Sequence, residues 1–340
     1  MSPHLIDVKM HRYALTRRPI RTIQHKLGFT FIDHPFRKPM NSNLIQDTQA
    51  LLNHDGQASA QPTRRLALQS ALGLGYAAAA MPLMAQTAIK TSGEGLVEGE
   101  VMIDVNGFQM PAYRSAPAGK TNLPVVLVIS EIFGVHEYIA DITRRFAKLG
   151  YMAIAPELFV RQGDPSAYGE LAKLMSELIA KVPDAQVMAD LDATLQWAGK
   201  NGGNADRAAI TGFCWGGRIT WLYAAHNPKI KAGVAWYGRM EGQTNANNPK
   251  HPIELATVLK APVLGLYGAA DTGIPVTSVD AMKGALAQAA TKGNTAAKAS
   301  EFVVYPDAPH AFHADYRPSY RAAPAADGWS RAVAWFKQYV

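Results

Sequence analysis

Residues 208–226 read AAITGFCWGGRITWLYAAH. The stretch opens as a strand, AAITGF, turns within Gly212-Phe213-Cys214-Trp215-Gly216-Gly217, and continues from Gly217 to His226 with helical period. It fits glycine-x-nucleophile-x-glycine between a strand and a helix. The physics of the turn sets the spacing. A residue at the tip of so sharp a bend takes a strained backbone conformation. A side chain two positions before or after it collides with neighbouring backbone, and glycine at 212 and 216 removes those Cβ atoms. Gly217 lets the helix lie close to the strand. Cys214 is then expected at a helix N-terminus, where free N–H groups and the helix dipole favour a thiolate.

Outward from this turn, strands and helices alternate. Upstream, VMIDV and FQMPAYR flank Asn106-Gly107, a hairpin signal within 98–115. VVLVIS (125–130) is a continuous β-branched run, typical of a strand buried on both faces. A helix is predicted over 136–149 and a second buried strand over 151–156. Loop and helix follow over 160–184, then a helix over 184–200. Downstream come strands at 231–238, 262–268 and 301–306, a helix over about 276–290 and a closing helix from Asp327. The fold class this predicts is α/β: a mostly parallel central sheet with helices on both faces and an N-terminal antiparallel hairpin at one edge. No internal repeat appears, and no linker from Glu98 onward.

A thiol that attacks needs a base, and the base needs a carboxylate to orient it. In folds built on this turn the chain order is nucleophile, acid, histidine. Strand 262–268 runs into Ala269-Ala270-Asp271, and strand 301–306 into Asp307-Ala308-Pro309-His310. Both loops fall at the carboxyl edge of the sheet, where such sites form. His310 is therefore the expected base and Asp271 its partner, ahead of His313, Asp307 and Asp280. The N–H of Trp215 is expected to form half of an oxyanion hole. His136, His226 and His251 are assigned surface or helix-end roles.

Four motifs resemble the dienelactone hydrolase (carboxymethylenebutenolidase) family of the α/β-hydrolase fold: SEIFGVHEYI (130–139), GFCWGG (212–217), YGAAD (267–271) and YPDAPHAFH (305–313). The resemblance runs from about Glu98 to Val340. It implies that Glu131 helps to deprotonate the thiol when substrate arrives, and that the Ile132 N–H completes the oxyanion hole. It also exposes a departure. Family members carry a hydroxyl residue just after the catalytic histidine and an arginine shortly beyond, both serving a substrate carboxylate; this chain has Ala311 and Ala314. Arg317 and Arg321 are the candidates to replace that arginine, and Trp236 and Tyr237 the aromatic residues proposed to line the substrate site. The implied activity is hydrolysis of a lactone, enol ester or related carboxylic ester through a thioester. The alternatives are a broad carboxylesterase or thioesterase, and a non-catalytic periplasmic binding protein on the same fold.

Composition bounds the rest. Of the 340 residues 48% are hydrophobic and 18% charged, ordinary for a globular protein. The net charge of +7 is concentrated in residues 1–85, which carry 10 basic and 4 acidic side chains; the remainder is close to neutral. No nucleic-acid partner is therefore inferred. A single cysteine excludes an intrachain disulfide and a cysteine-built zinc site, and no metal or organic cofactor is expected. The expected partner is a small-molecule ester or lactone, and the oligomeric state is not legible. PTRRLALQSALGLGYAAAAMPLMA (62–85) has the paired arginines, apolar run and small-residue end of a twin-arginine export signal. The run is too short and glycine-rich for a stable membrane anchor. Residues 1–61 read as a poorly ordered extension, with 1–39 expected to precede the true start at Met40, and 86–340 as one domain. A used signal implies a periplasmic or secreted protein, an unused one a cytoplasmic protein.

Overall fold

The computed structural model describes residues 88–340; the extension and export signal read from the sequence lie outside the described residues. One eight-stranded sheet organises the chain, with strands in the order β1-β2-β4-β3-β5-β6-β7-β8. β1 (Leu96–Val105) and β2 (Phe108–Pro117) form the expected hairpin. Asn106 and Gly107 between them sit at φ 54° and 90°, the paired positive values that a two-residue turn matching the strand twist demands. β2 also runs antiparallel to β4, and every later pairing is parallel.

The parallel strands are the continuous apolar runs. β3 (Leu123–Ile129), β4 (Met152–Pro156), β6 (Ile230–Trp236) and β7 (Val263–Gly268) are buried almost throughout, and β5 (Gly203–Phe213) is buried from Ala208 onward. A strand covered on both faces gains from apolar residues at every position, so alternation disappears. β8 (Glu301–Tyr305) is the outer strand and only partly buried. The helices are α1 (Glu137–Lys148), α2 (Asp184–Lys200), α3 (Trp215–His226), α4 (Val276–Thr291), the short α5 (Thr295–Ala299) and α6 (Ala322–Tyr339). Tyr138, Ile139, Ile142 and Phe146 put one face of α1 into the core at helical spacing.

Two helix starts and one short helix depart from expectation. α6 starts at Ala322 rather than Asp327, with Pro324 in its first turn, where a missing N–H costs nothing. α3 starts at Trp215, directly after the cysteine, rather than at Gly217. α5 was not foreseen, because five residues are too few to show a period.

The strand order positions the site. The chain leaves β3 toward β4 on one side, then returns to place β5 on the other. Connections depart in opposite directions from the carboxyl ends of β3 and β5, opening a crevice there. No helix among the described residues is long and apolar enough to cross a membrane.

Candidate active site

Cys214 sits between β5 and α3 with φ 57° and ψ −112°, a left-handed strained conformation for a side chain. The surrounding turn tolerates nothing larger than glycine. A Cβ on residue 212 would come 2.1 Å from the Gly216 carbonyl oxygen, and one on residue 216 would come 2.4 Å from that of Ile129. The Cys214 N–H donates to the Trp236 carbonyl at 3.0 Å, anchoring the turn to β6. Trp215 opens α3, so its N–H belongs to the first turn, where helix donors lack an intrahelical acceptor.

His310 is buried, and its imidazole interacts electrostatically with the Cys214 sulfur. Its Nδ1 lies 2.6 Å from Asp271 Oδ2. The other Asp271 oxygen accepts N–H groups from Gly273 at 2.9 Å and Ile274 at 3.1 Å, so both oxygens of this buried carboxylate have donors. The loops bearing the two residues are also joined by backbone: Ala269 N–H donates to Tyr305 O and Ala270 N–H to Ala308 O. Burial opposes charge on His310, but the Asp271 carboxylate and the Cys214 sulfur outweigh it and raise the imidazole to about 10. The arrangement favours an imidazolium at His310.

His313 has a different place. Its ring packs 4.3 Å from Trp236, its Nδ1 meets the Tyr138 hydroxyl at 2.6 Å, and burial pushes it down to about 3. It is a neutral core residue. Asp307 and Asp280 are exposed.

Glu131 lies just past β3, nearly fully buried, with Ile132 beside it. Its carboxylate meets His136 Nε2 at 3.1 Å, the Tyr316 hydroxyl at 3.4 Å and the Arg317 guanidinium at 3.6 Å. Burial works against its charge, yet the His136 hydrogen bond and the Arg317 cation lower it below the usual carboxylate range. The hydrogen bonds of Glu131 run to His136 and Tyr316.

Arg317, 2% exposed, lies over the Phe133 ring and interacts electrostatically with both Glu131 and Cys214. Tyr237 stands edge-on to His310 with ring centroids 5.1 Å apart, and its buried hydroxyl has no hydrogen-bond partner among the described residues. Burial keeps that phenol protonated, a donor held beside Glu131, Arg317 and Cys214.

Two expectations need correction. Trp236 lies in the core, stacked on Phe213 and donating from Nε1 to Thr211 Oγ1, because the last inward position of β6 faces the helix layer. Arg321 is exposed at the start of α6, and its guanidinium donates to the Pro318 and Tyr320 carbonyls of its own turn. One residue was missed as part of the site. His136 was assigned a surface or helix-end role; it does stand at the N-cap of α1, and it also pairs with Glu131 and stands edge-on to Tyr316. The signal for it was its place five residues after Glu131, at the start of the helix that turns the chain back over the site.

The chain was compared with known proteins. A family model described as the dienelactone hydrolase family matches residues 110–340. A Methylorubrum extorquens protein, provisionally named a carboxymethylenebutenolidase, is 57% identical over 279 residues, 82% of this chain and 93% of the relative. A Bradyrhizobium protein named provisionally as a 2-oxo-3-(5-oxofuran-2-ylidene)propanoate lactonase is 29% identical over 242 residues, 71% of this chain and 94% of the relative. A crystal structure from Klebsiella pneumoniae, provisionally titled a dienelactone hydrolase, matches with a TM-score of 0.69 and 55% identity, covering 72% of this chain and 99% of that one.

Proposed function

Since the chain belongs to the dienelactone hydrolase family and is a carboxylic ester hydrolase, we propose that its nucleophile is the Cys214 thiol and that it works through a thioester. One observation carries this reading: the Cys214 sulfur, at a strained turn heading a helix, interacts with the buried His310 that Asp271 holds at 2.6 Å.

The chemistry follows from the geometry. The thiolate attacks the ester carbonyl carbon, and the oxyanion forms against the N–H groups of Trp215 and Ile132. The imidazolium of His310 gives its proton to the departing alkoxide or enolate, leaving a thioester and a neutral imidazole. That imidazole takes a proton from water as the water attacks the thioester. Collapse releases the acid and restores the thiolate–imidazolium pair. Asp271 holds the ring and its charge throughout. Glu131, kept ionised by His136 and Arg317, is a carboxylate beside the site whose pairing changes when an arriving anion competes for Arg317.

The substrate class is a lactone or enol ester bearing an anionic group. A thiolate expels an enolate readily, and an amine poorly. Arg317 is the buried cation available to the anionic group, in place of the family arginine absent at Ala314, and Tyr237 offers a hydroxyl to a substrate oxygen. The lactonase name of the Bradyrhizobium relative supports the lactone.

Cys214→Ala is expected to lower turnover of an activated ester by at least about a thousandfold. Rapidly quenched wild-type enzyme should carry the acyl mass on the Cys214 peptide; near-normal turnover in the variant, or acyl mass on another residue, sinks the assignment. A panel of enol lactones and neutral aryl esters separates the lactone reading from a broad esterase. We also propose export through residues 62–85 to the periplasm, on their sequence alone. N-terminal sequencing of the native protein should then begin near Gln86, and a chain retaining Arg64 and Arg65 contradicts it.

A further inference from the structure

The segment between β3 and α1, residues 130–136, carries both Glu131 and the Ile132 N–H. Such a segment must be held firmly, because an oxyanion donor displaced by about 1 Å loses on the order of a hundredfold in rate. Its first end is wedged under the elbow, where the Ser130 carbonyl oxygen lies 2.6 Å from where a Gly216 Cβ would stand. Its last residue, His136, pairs back onto Glu131.

A third restraint comes from outside the site. Glu157 directly follows β4, and its N–H donates to the Pro111 carbonyl at 2.9 Å, tying its backbone to β2. Its Oε1 accepts the Val135 N–H at 2.6 Å. Gly134 lies flush against the same carboxylate at φ 74°; a Cβ there would come 3.0 Å from Oε2 and 3.2 Å from Oε1. Val135 is three residues from Ile132, so the carboxylate grips the far side of the segment that presents the donor. Burial, with Asp164 and Glu100 adding repulsion, pushes the Glu157 carboxyl up to about 7, against the pull of the Val135 hydrogen bond. A carboxylate held at such a cost to folding needs a purpose.

We propose that Glu157 is a positioning residue that fixes the 130–136 segment through Val135, setting the height at which the Ile132 N–H meets the developing oxyanion. The proposal rests on the reading of Ile132 as an oxyanion donor.

The test compares Glu157→Ala with Glu157→Gln, whose amide oxygen can still accept from Val135. Glu157→Ala should lower kcat on an activated aryl ester by about 10- to 100-fold with KM within about threefold, and Glu157→Gln should restore most of the loss. Alkylation of Cys214 by iodoacetamide forms no oxyanion, so its rate in Glu157→Ala should stay within about threefold of wild type. Wild-type kcat in Glu157→Ala overturns the proposal. So does an alkylation rate that falls in step with kcat, which signals general loosening. Turnover surviving in Cys214→Ala marks the separate failure of the nucleophile reading. Should Glu157→Ala not fold, Glu157→Asp draws the oxygen back by about 1.5 Å while keeping the charge; it carries the same expected loss, and the same wild-type kcat overturns the proposal.

Discussion

At the scale of single residues, the site is a balance of two buried charge pairs. His310 is charged because Asp271 and the Cys214 sulfur outweigh its burial, and Glu131 is charged because His136 and Arg317 outweigh its own. The first balance has a signature in stability. A histidine raised in the folded state contributes stability that is complete below its ordinary value of about 6.5 and disappears as the pH climbs through about 10. The Tm advantage of wild type over His310→Gln should therefore be greatest below about pH 6.5 and close toward pH 10, as a series of thermal melts would read. The second balance has a signature in specificity. A charge-assisted contact to a substrate anion is worth about 1.5–3 kcal/mol, or roughly 10- to 150-fold. Arg317→Met should raise KM by that order for esters bearing a carboxylate and change it little for neutral esters. Equal effects on both would remove Arg317 from substrate recognition.

At the scale of elements, the site is assembled by loop-to-loop clamps at the carboxyl ends of β3, β5, β7 and β8. The tightest is the elbow. Gly212→Ala would drive a methyl group against the Gly216 carbonyl, and backbone cannot yield there without moving Cys214. A cost above about 3 kcal/mol and a hundredfold loss of turnover are expected, read by melting temperature and ester hydrolysis. These elements differ in how well the sequence showed them. The elbow, the hairpin and the buried strands were legible because each is dictated locally, by glycine, by Asn-Gly or by an unbroken apolar run. The early start of α6 and the presence of α5 were not, since short helices and helix ends depend on packing more than on pattern.

At the scale of the whole molecule, every residue assigned to the site falls between 131 and 317, and the described chain before β1 serves to brace α1. Thr91 N–H donates to Asp141 at 2.6 Å, and Lys148 Nζ donates to the Glu94 carbonyl. A chain shortened to begin at Gln86 should keep full turnover, whereas one beginning at Leu96 loses both braces and should melt lower. Comparing the two by kcat and Tm checks this, and a loss of turnover in the longer form would assign residues 1–85 a part in catalysis.

The sequence by itself determined the α/β class, the glycine-bounded turn with its cysteine, and the order of thiol, carboxylate and imidazole along the chain, because backbone sterics and strand burial act over a few neighbouring residues. Only the tertiary structure decided which side chains share the crevice. It set His136 and Tyr316 on Glu131, drew Arg317 inward while leaving Arg321 outside, sent Trp236 and His313 into the core, and laid Glu157 against Gly134. Those choices depend on the relative placement of strand ends and loops far apart in the chain, and no local pattern encodes the distances between them.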